Sequence, residues 1–593
     1  MLRARRAWGG AAIFFQWSRR LRAADFLVLL GLAGLLAALF QFARHMNAPV
    51  RPAAAIDLSA AAIPAYALLS LLRGLIAFAI SLGFAVVYGY WAAKDARAER
   101  VLIPLLDILQ SVPVLGFMPG LLLVFLALFP SSNAGLELAS IVMIFTAQAW
   151  NMAFSFYQSL KSLKPDLVEA ASVFSFNSWE RFRCLELPSA AIGLVWNGMI
   201  SMAGGWFFLM ISESFVLGRR DFSLPGLGSY MSRAAADGNA RAMALAIAAM
   251  MLMIVLLDQV LWRPLAVWSQ KFRLDESGSE DAGSSWFLGV VRRARVYALA
   301  ALLIRKIANR HPETGTGERK TGHEKERAPA FPVSRFPSSQ AFARLLPVVS
   351  GAALLLLAAA ASLGAVRVLY AWRALSPERW LSIGGAGAAT LARVLVSTAL
   401  GTLWALPAGL AIGLSPRLWT ALGPAIQMLA SFPAPMLFPA AIAAMRAAGV
   451  PLSAGSIVLM LLGTQWYILF NVVAGAAAIP ADLLEASRSY GLKGWERFKN
   501  VLLPAVFPYL VTGWVTAAGG AWNASIVSEF VTFKSQVFST WGLGSLISEA
   551  AERSDIPTLT AAVVVMSAIV MVFNRFVWRR LYAVAREGLW MAA

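Results

Sequence analysis

One block of sequence occurs twice in this chain, and each copy is a polar island between long apolar runs. The first copy runs from Pro165 to Pro188, PDLVEAASVFSFNSWERFRCLELP, and the second from Pro480 to Pro504, PADLLEASRSYGLKGWERFKNVLLP. Glu169 stands against Glu485, 316 residues further on, and the same offset carries Trp179 to Trp495, Arg181 to Arg497 and Pro188 to Pro504. A proline opens a short helix in each copy, where its missing N–H costs nothing. Gly491 sits where a left-handed helix end is cheapest. The first copy has Ser175 at that place, for which the left-handed conformation costs about 1 kcal/mol or more. The expectation is therefore that the first turn uses another geometry, with Asn177 taking the left-handed position. Ser178 and Gly494 are the expected N-caps of a second short helix, WERF. The block thus predicts a helix–turn–helix at a membrane surface, used twice.

The membrane is implied by composition. The chain is 59% hydrophobic and 14% charged, against about a quarter charged in soluble domains. Its formal net charge of +20 does not point to nucleic acid, because the basic residues flank apolar spans as inside loops do. In order, the expected spans are Phe26–Phe42, Tyr66–Trp91, Val101–Phe129 interrupted by Pro104, Pro113 and Pro119, Leu138–Tyr157, Ser189–Leu217 and Ala242–Trp262. Residues 274–343 are polar and read as a cytoplasmic, largely disordered linker, with a basic surface helix at 286–310. A second set follows: Leu345–Val366, Leu391–Leu414, Leu418–Met445, Gly455–Ala474, Ala505–Val531 and Thr558–Trp578. The fold class expected is an all-α polytopic membrane protein of about twelve transmembrane helices. It divides into residues 1–273, the linker 274–343, and residues 344–593.

The repeat extends beyond the polar blocks. Arg73 matches Arg393, Ser111 matches Ser431, Pro113 matches Pro433 and Pro119 matches Pro439, while Glu213 pairs with Glu529 and Gly226-Leu227-Gly228 with Gly542-Leu543-Gly544. Six spans per half is an even number, so the repeats are parallel and both polar blocks face one side. An odd number would invert one copy, as in many secondary transporters. The basic flank of the first span places the N-terminus in the cytoplasm, and the even count places the C-terminus there too.

The polar blocks resemble the EAA loop of the inner-membrane permeases of ABC importers. The matching residues are Glu169, Ala170, Ala171, Leu187 and Pro188, then Glu485, Ala486, Gly491, Leu503 and Pro504; Ser175 replaces the family's glycine, and Ser487 its second alanine. The paired arginines, the prolines of the third and ninth spans and the Gly-Leu-Gly turns are similar to the nitrate/sulfonate/taurine branch, in a duplicated anion-permease form. The resemblance covers nearly the whole chain except the linker. It implies a type I importer fold, with two six-helix permease repeats fused in one bacterial inner-membrane protein. It implies two separate ABC ATPase subunits docking on the blocks, a periplasmic solute-binding protein delivering a small anion, and ATP with magnesium held by the partners. It implies no enzyme activity in this chain.

The residues leave some roles open. Glu213 and Glu529 stand near outer ends of spans, where a carboxylate faces a cavity or a partner, or else reaches the headgroups. Arg73 and Arg393 would suit an anion pathway or snorkel to the outer surface. Pro113 and Pro433 free carbonyls inside a span, so that with Gln110, Ser111 and Ser431 they line a passage or form a packing kink. Trp206 and Trp522, beside small residues, are expected in core packing. Cys184 is the one cysteine, and His45, His311 and His323 share no ligand spacing, so no metal site is expected. GTGERKT from Gly315 lacks the glycine before Lys320 that a phosphate loop needs. The rival reading is an ion-coupled secondary transporter with parallel repeats.

Overall fold

The computed structural model describes residues 39–48, 55–217, 220–272, 340–533 and 536–590, with Gly34 and Phe287 besides. The first expected span falls almost wholly outside the described residues, as do the linker as far as residue 339 and the surface helix at 286–310, Phe287 apart.

The first half opens with α1 (Ile63–Lys94), which has Pro64 in its first turn and stops at extended Asp95. Asp95 caps the next helix by accepting from Arg97 N. That helix, α2 (Ala96–Ser111), and α3 (Val114–Leu128) meet at a 98° elbow. Pro113 explains the break, since it has no N–H to continue the ladder and disfavours helix in Val112 before it. Pro104 and Pro119, read in sequence as interruptions too, lie inside α2 and α3. The second half repeats the elbow at 86° between the helix α10 (Pro416–Ser431) and the segment from Ala434 to Ala447. Glu99, near the start of α2, pairs with Lys161, whereas Gly135 abuts Phe125 near the end of α3. Lys161 and Gly135 lie at opposite ends of α4 (Ala134–Lys161). The bent pair therefore crosses from one end of the bundle to the other and counts as one span.

After α4 come α5 (Leu187–Ser212), α6 (Leu227–Ala236) and α7 (Ala240–Leu257). The second half follows as α8 (Gln340–Ala371), α9 (Pro377–Gly413), α10, α11 (Phe438–Ala447), α12 (Leu452–Ala477), α13 (Leu503–Ser528), α14 (Leu543–Glu552) and α15 (Ile556–Phe573). Nine helices among the described residues are long and apolar enough to cross a membrane, and the two bent pairs make eleven. The chain is thus an all-α polytopic membrane protein built on a duplicated unit.

Two small departures from helix matter. The sequence reads the fifth and eleventh spans as running to Leu217 and Val531, but the helices stop at Ser212 and Ser528. Antiparallel hairpins follow, β1 (Ser214–Leu217) with β2 (Arg220–Ser223) and β3 (Phe530–Phe533) with β4 (Gln536–Ser539). Leu224 N donates to Glu213 O at 2.8 Å and Thr540 N to Glu529 O at 2.9 Å, which closes each hairpin onto its helix end. Single π-turns occur at Phe182–Glu186, Asp258–Trp262, Phe498–Leu502 and Asn574–Trp578, two in each half at repeated positions.

The halves interlock reciprocally. α3 packs on α13, and its counterpart after the second elbow, Ala434–Leu437, packs on α5, as α10 also does. Val114 N donates to Asn523 Oδ1 at 2.8 Å across the boundary. One apolar core holds buried residues of both halves, among them Met202, Trp206, Met460 and Trp522. Reciprocal contact is the signature of two equivalent copies about a two-fold axis.

Candidate functional site

Both polar blocks fold as their shared sequence demands. The first is a helix over Pro165–Val173, a turn, a one-turn helix over Ser178–Arg181 and a π-turn into α5. The second has a helix over Ala481–Ser489, a one-turn helix over Gly494–Arg497 and the same π-turn. Pro480 sits one place before its helix rather than in it. Six described spans separate the two blocks, so both emerge at the same end of the molecule. Glu169 and Glu485 are exposed, while Ala171 and Ser487 are buried against the bundle. The outer surface is aromatic: Phe174, Trp179, Tyr490 and Trp495 are all exposed. Trp179 stacks on Phe182 with centroids 5.6 Å apart, and Trp495 on Phe498 at 5.1 Å.

The expected difference between the two turns is overturned. Ser175 has φ +54°, and Gly491 has φ +71°. Both close the same helix end: Phe176 N donates to Ala171 O at 3.0 Å, and Leu492 N to Ser487 O at 3.0 Å. Those hydrogen bonds satisfy carbonyls that the helix end would otherwise strand, and they impose the left-handed residue whatever its side chain. Asn177 is extended, with φ −72° and ψ 170°, and it rather than Ser178 is the N-cap, forming a capping box with Glu180. In the second block the N-cap position is Lys493, which makes no side-chain cap, and Gly494 is left-handed at φ +51°.

At the opposite end, the four ionisable residues considered for the pathway form two clasps instead. Arg73 is fully buried; its Nε and Nη2 donate to the two oxygens of Glu137 at 2.7 and 2.8 Å, and its Nη1 pairs with Glu213. Ser70 Oγ and Gly228 N each donate to Glu213 at 2.6 Å. In the second half Arg393 Nη1 donates to Glu529 at 2.8 Å, Thr390 Oγ1 at 2.9 Å and Gly544 N at 2.8 Å. The carboxylate sits at the N-terminus of α6 or α14, where the helix dipole favours negative charge. A Cβ at Gly226 or Gly542 would run into the carboxylate, which is why the turn reads Gly-Leu-Gly. Each clasp thus ties the helix that carries the arginine, α1 or α9, to the turn after the hairpin. Ser453 replaces Glu137 in the second copy.

A second charged cluster lies beside the first polar block. Buried Glu186 takes both Lys94, at the end of α1, and Arg181, whose Nε is 2.9 Å away. Glu99 accepts from Lys161 and Tyr157 at 2.7 and 2.6 Å. In the second copy the counterpart of Glu186 is Leu502 and that of Lys94 is Leu414. Arg497, the partner of Arg181 in the repeat, keeps a buried Nε with no hydrogen-bond partner among the described residues.

Between the halves lies a cavity of about 320 Å³. It is bounded by both elbows, through Gln110, Val114 and Pro433, and by Thr146, Trp150, Asn151 and Ser201 facing Thr464, Tyr467 and Asn523. Its lining contains no charged side chain among the described residues. Of the residues proposed for the pathway, Pro433 lines it; Ser111 and Ser431 end their helices at the elbows and Pro113 precedes α3. Trp206 is buried in the core, and Trp522 is buried while also bordering the cavity. Sequence reasoning missed Glu137 and Glu186. Both break the repeat, with Ser453 and Leu502 opposite them, and that break is the signal that finds them.

Two stretches of the chain, residues 85–261 and 401–584, match the family described as the binding-protein-dependent transport system inner membrane component. Together they make up more than half of the chain. The nitrate import permease protein NrtB of Synechocystis sp. is 28% identical over 189 residues, 32% of this chain and 65% of that protein. The protein of the same name in Leptolyngbya laminosa is 28% identical over 32% of this chain and 64% of its own length. The bicarbonate transport system permease protein CmpB of Synechocystis sp. is 27% identical, again over 32% of this chain and 64% of its own. The chain spans less than two thirds of the length of these relatives.

Proposed function

The chain belongs to the family of binding-protein-dependent transport system inner membrane components, and on that premise we propose that it is the complete permease core of an ATP-driven importer. Residues 1–273 and 344–593 are the two permease domains and residues 274–343 join them. The observation that carries this reading is the pair of exposed, aromatic-faced polar blocks at one end of interlocked halves. Each presents a glutamate, Glu169 or Glu485, on a short helix held to the bundle by a buried small residue. Such a surface suits a cleft on an ATPase subunit, one per block, with Ala170, Pro188, Ala486 and Pro504 shaping the helices. ATP and magnesium belong to those subunits. A periplasmic binding protein delivers the solute at the clasp end, and drawing the two blocks together opens that end of the cavity. The similarity to permeases named for nitrate and bicarbonate import favours a small anion and a bacterial inner membrane.

Cys184, exposed in the first block, gives a direct test. A photoactivatable crosslinker on Cys184 in native membranes is expected to capture an ABC ATPase, and Glu169→Lys to abolish capture. Capture of no ATPase, with the chain at normal membrane levels, overturns the docking assignment. The domain boundaries are tested by inserting a protease site between residues 311 and 340. After complete cleavage the two halves are expected to co-purify, because their contacts are reciprocal and extensive.

A further inference from the structure

The two polar blocks share a fold and differ in charge. Between its prolines the first sets acidic Asp166, Glu169, Glu180 and Glu186 against basic Arg181 and Arg183; the second sets Asp482, Glu485 and Glu496 against Arg488, Lys493, Arg497 and Lys499. Lys94 and Lys164 beside the first block bring its charges into balance, and Leu414 and Pro480 stand opposite them in the second. The balance in the first half is made by contact. Lys94 and Arg181 both close on buried Glu186, with Arg181 Nε 2.9 Å away. In the second, Leu502 replaces Glu186. Arg488, Lys493 and Lys499 are exposed and Arg497 is half-buried, and none of the four has a carboxylate partner among the described residues.

Arg497 is the fixed point of this surface. Its Nε is sealed inside the block with no acceptor, while the side chain as a whole keeps partial exposure, so the guanidinium is held with its outer edge open. A guanidinium so held is a planar fork that a carboxylate fills with two parallel hydrogen bonds, and a half-buried charge left unpaired is costly. We propose that the second polar block takes an acidic cleft: the ATPase subunit docked there sets a carboxylate against Arg497, supplying from outside what Glu186 supplies within the first half. An anionic lipid surface fits less well, because Asp482, Glu485 and Glu496 are exposed among the same cations and would be driven against headgroups of their own sign. A folded cleft places its acid at one point and leaves those carboxylates clear. Charge complementarity of this kind speeds encounter and selects partners, so the two docking positions are unequal and the second is the salt-sensitive one. The proposal rests on the reading of the blocks as ATPase docking surfaces.

The test uses native membranes carrying the intact system. In Arg497→Lys, which keeps the positive charge, a water-soluble carbodiimide is expected to join position 497 by an amide to an Asp or Glu of an ATPase subunit, located by tandem mass spectrometry. In Arg181→Lys no amide from position 181 to an ATPase is expected. The ATPase released by high salt is then titrated back onto the stripped membranes. In Arg497→Gln about half of the sites are expected to weaken roughly thirtyfold, and Arg497→Lys to restore them. No amide at position 497, an amide only to this chain, equal coupling from positions 181 and 497, or unchanged rebinding in Arg497→Gln overturns the acidic cleft. Unchanged rebinding with a loss of bound phosphatidylglycerol gives Arg497 to a lipid headgroup instead. Capture from Cys184 is run in parallel. An ATPase captured there with position 497 silent sinks the acidic cleft alone, and no ATPase captured at all sinks the docking reading on which it stands.

Discussion

The two halves share a backbone plan and differ in how they distribute charge. In the first, Arg73 is shared between Glu137 and Glu213, and Glu186 gathers Lys94 and Arg181. In the second, Arg393 has one carboxylate, Glu529, and is 13% exposed, while Leu414 and Leu502 stand where Lys94 and Glu186 would be. The features common to both are the elbow proline, the Gly-Leu-Gly turn, the arginine–glutamate clasp, the π-turns and the left-handed helix ends. Those are what the repeat requires to fold. The extra carboxylates of the first half are not required by the fold, since the second half adopts it without them. They make the first half more highly charged, and leave uncharged Ser453 and Leu502 at the same positions of the second. Duplication within one chain permits this, because each copy is free to specialise as two copies of one subunit are not.

Arg73→Ala is the substitution expected to separate the halves most. It leaves Glu213 buried with no counter-charge and Glu137 with only His45, 3.2 Å away, and breaking such a pair costs about 3–5 kcal/mol. Arg393→Ala strands one carboxylate, Glu529, rather than two, at a site where the arginine is already 13% exposed, so its cost is smaller, about 1–3 kcal/mol. Thermal unfolding of the two variants in the same detergent checks the order, and equal losses would remove the distinction. Next in size is Glu186→Gln, which leaves Lys94 and Arg181 without their carboxylate at a cost of about 1–3 kcal/mol. Hydrogen exchange is expected to quicken over residues 178–188 and stay unchanged over 494–504. Faster exchange in both blocks would mean that the brace serves the whole bundle rather than the first block.

Much of this was legible in the sequence because the chain states it twice. The offset between copies located the polar blocks, the elbow prolines, the matched arginines and the matched glutamates. It could not say which of three prolines breaks the span, since Pro104, Pro113 and Pro119 look alike in a linear reading; only Pro113 does. It could not pair Arg73 with Glu137 either, because 64 residues and a whole crossing lie between them. The hairpins were hidden by continuous apolar sequence running through Glu213 and Glu529. Those glutamates looked like pathway residues because an ionisable group at membrane depth calls for a partner, and the partner proved to be structural.

The left-handed positions show where residue preference misleads. Ser175 and Gly491 occupy one repeated turn, with φ +54° and +71°; Gly238 and Ser554 occupy another, with φ +66° and +55°. Each half therefore has serine where the other has glycine, once in each direction. The hydrogen bonds of the helix end set the geometry, and serine bears a strain of about 1–2 kcal/mol. Ser175→Gly and Ser554→Gly are each expected to raise stability by up to about 1 kcal/mol. Ser175→Val and Gly491→Val are both expected to weaken the blocks, since a β-branched residue is poorly tolerated there. Chemical denaturation of the four variants would expose a difference between the halves if the valine changes proved unequal.

The smallest expected effect concerns how the second short helix of each block starts. Asn177 accepts from Glu180 N at 2.9 Å, and Asn177 N donates back to Glu180 Oε2 at 2.9 Å. Lys493 offers no such acceptor, although Glu496 stands where Glu180 does. Asn177→Ala should therefore cost about 1 kcal/mol, read as faster exchange at the amide of Glu180. The converse, Lys493→Asn, is expected to return less than this. Gly494 is left-handed, whereas Ser178 is not among the positive-φ residues, so the chain approaches the second helix along a different path from the one that suits the capping box. If Lys493→Asn protected the amide of Glu496 as fully as Asn177 protects that of Glu180, the two helix starts would be interchangeable and the asymmetry of the blocks would reduce to side chains alone. Protection restored only in the double change Lys493→Asn with Gly494→Ser would place the difference in the backbone of Gly494.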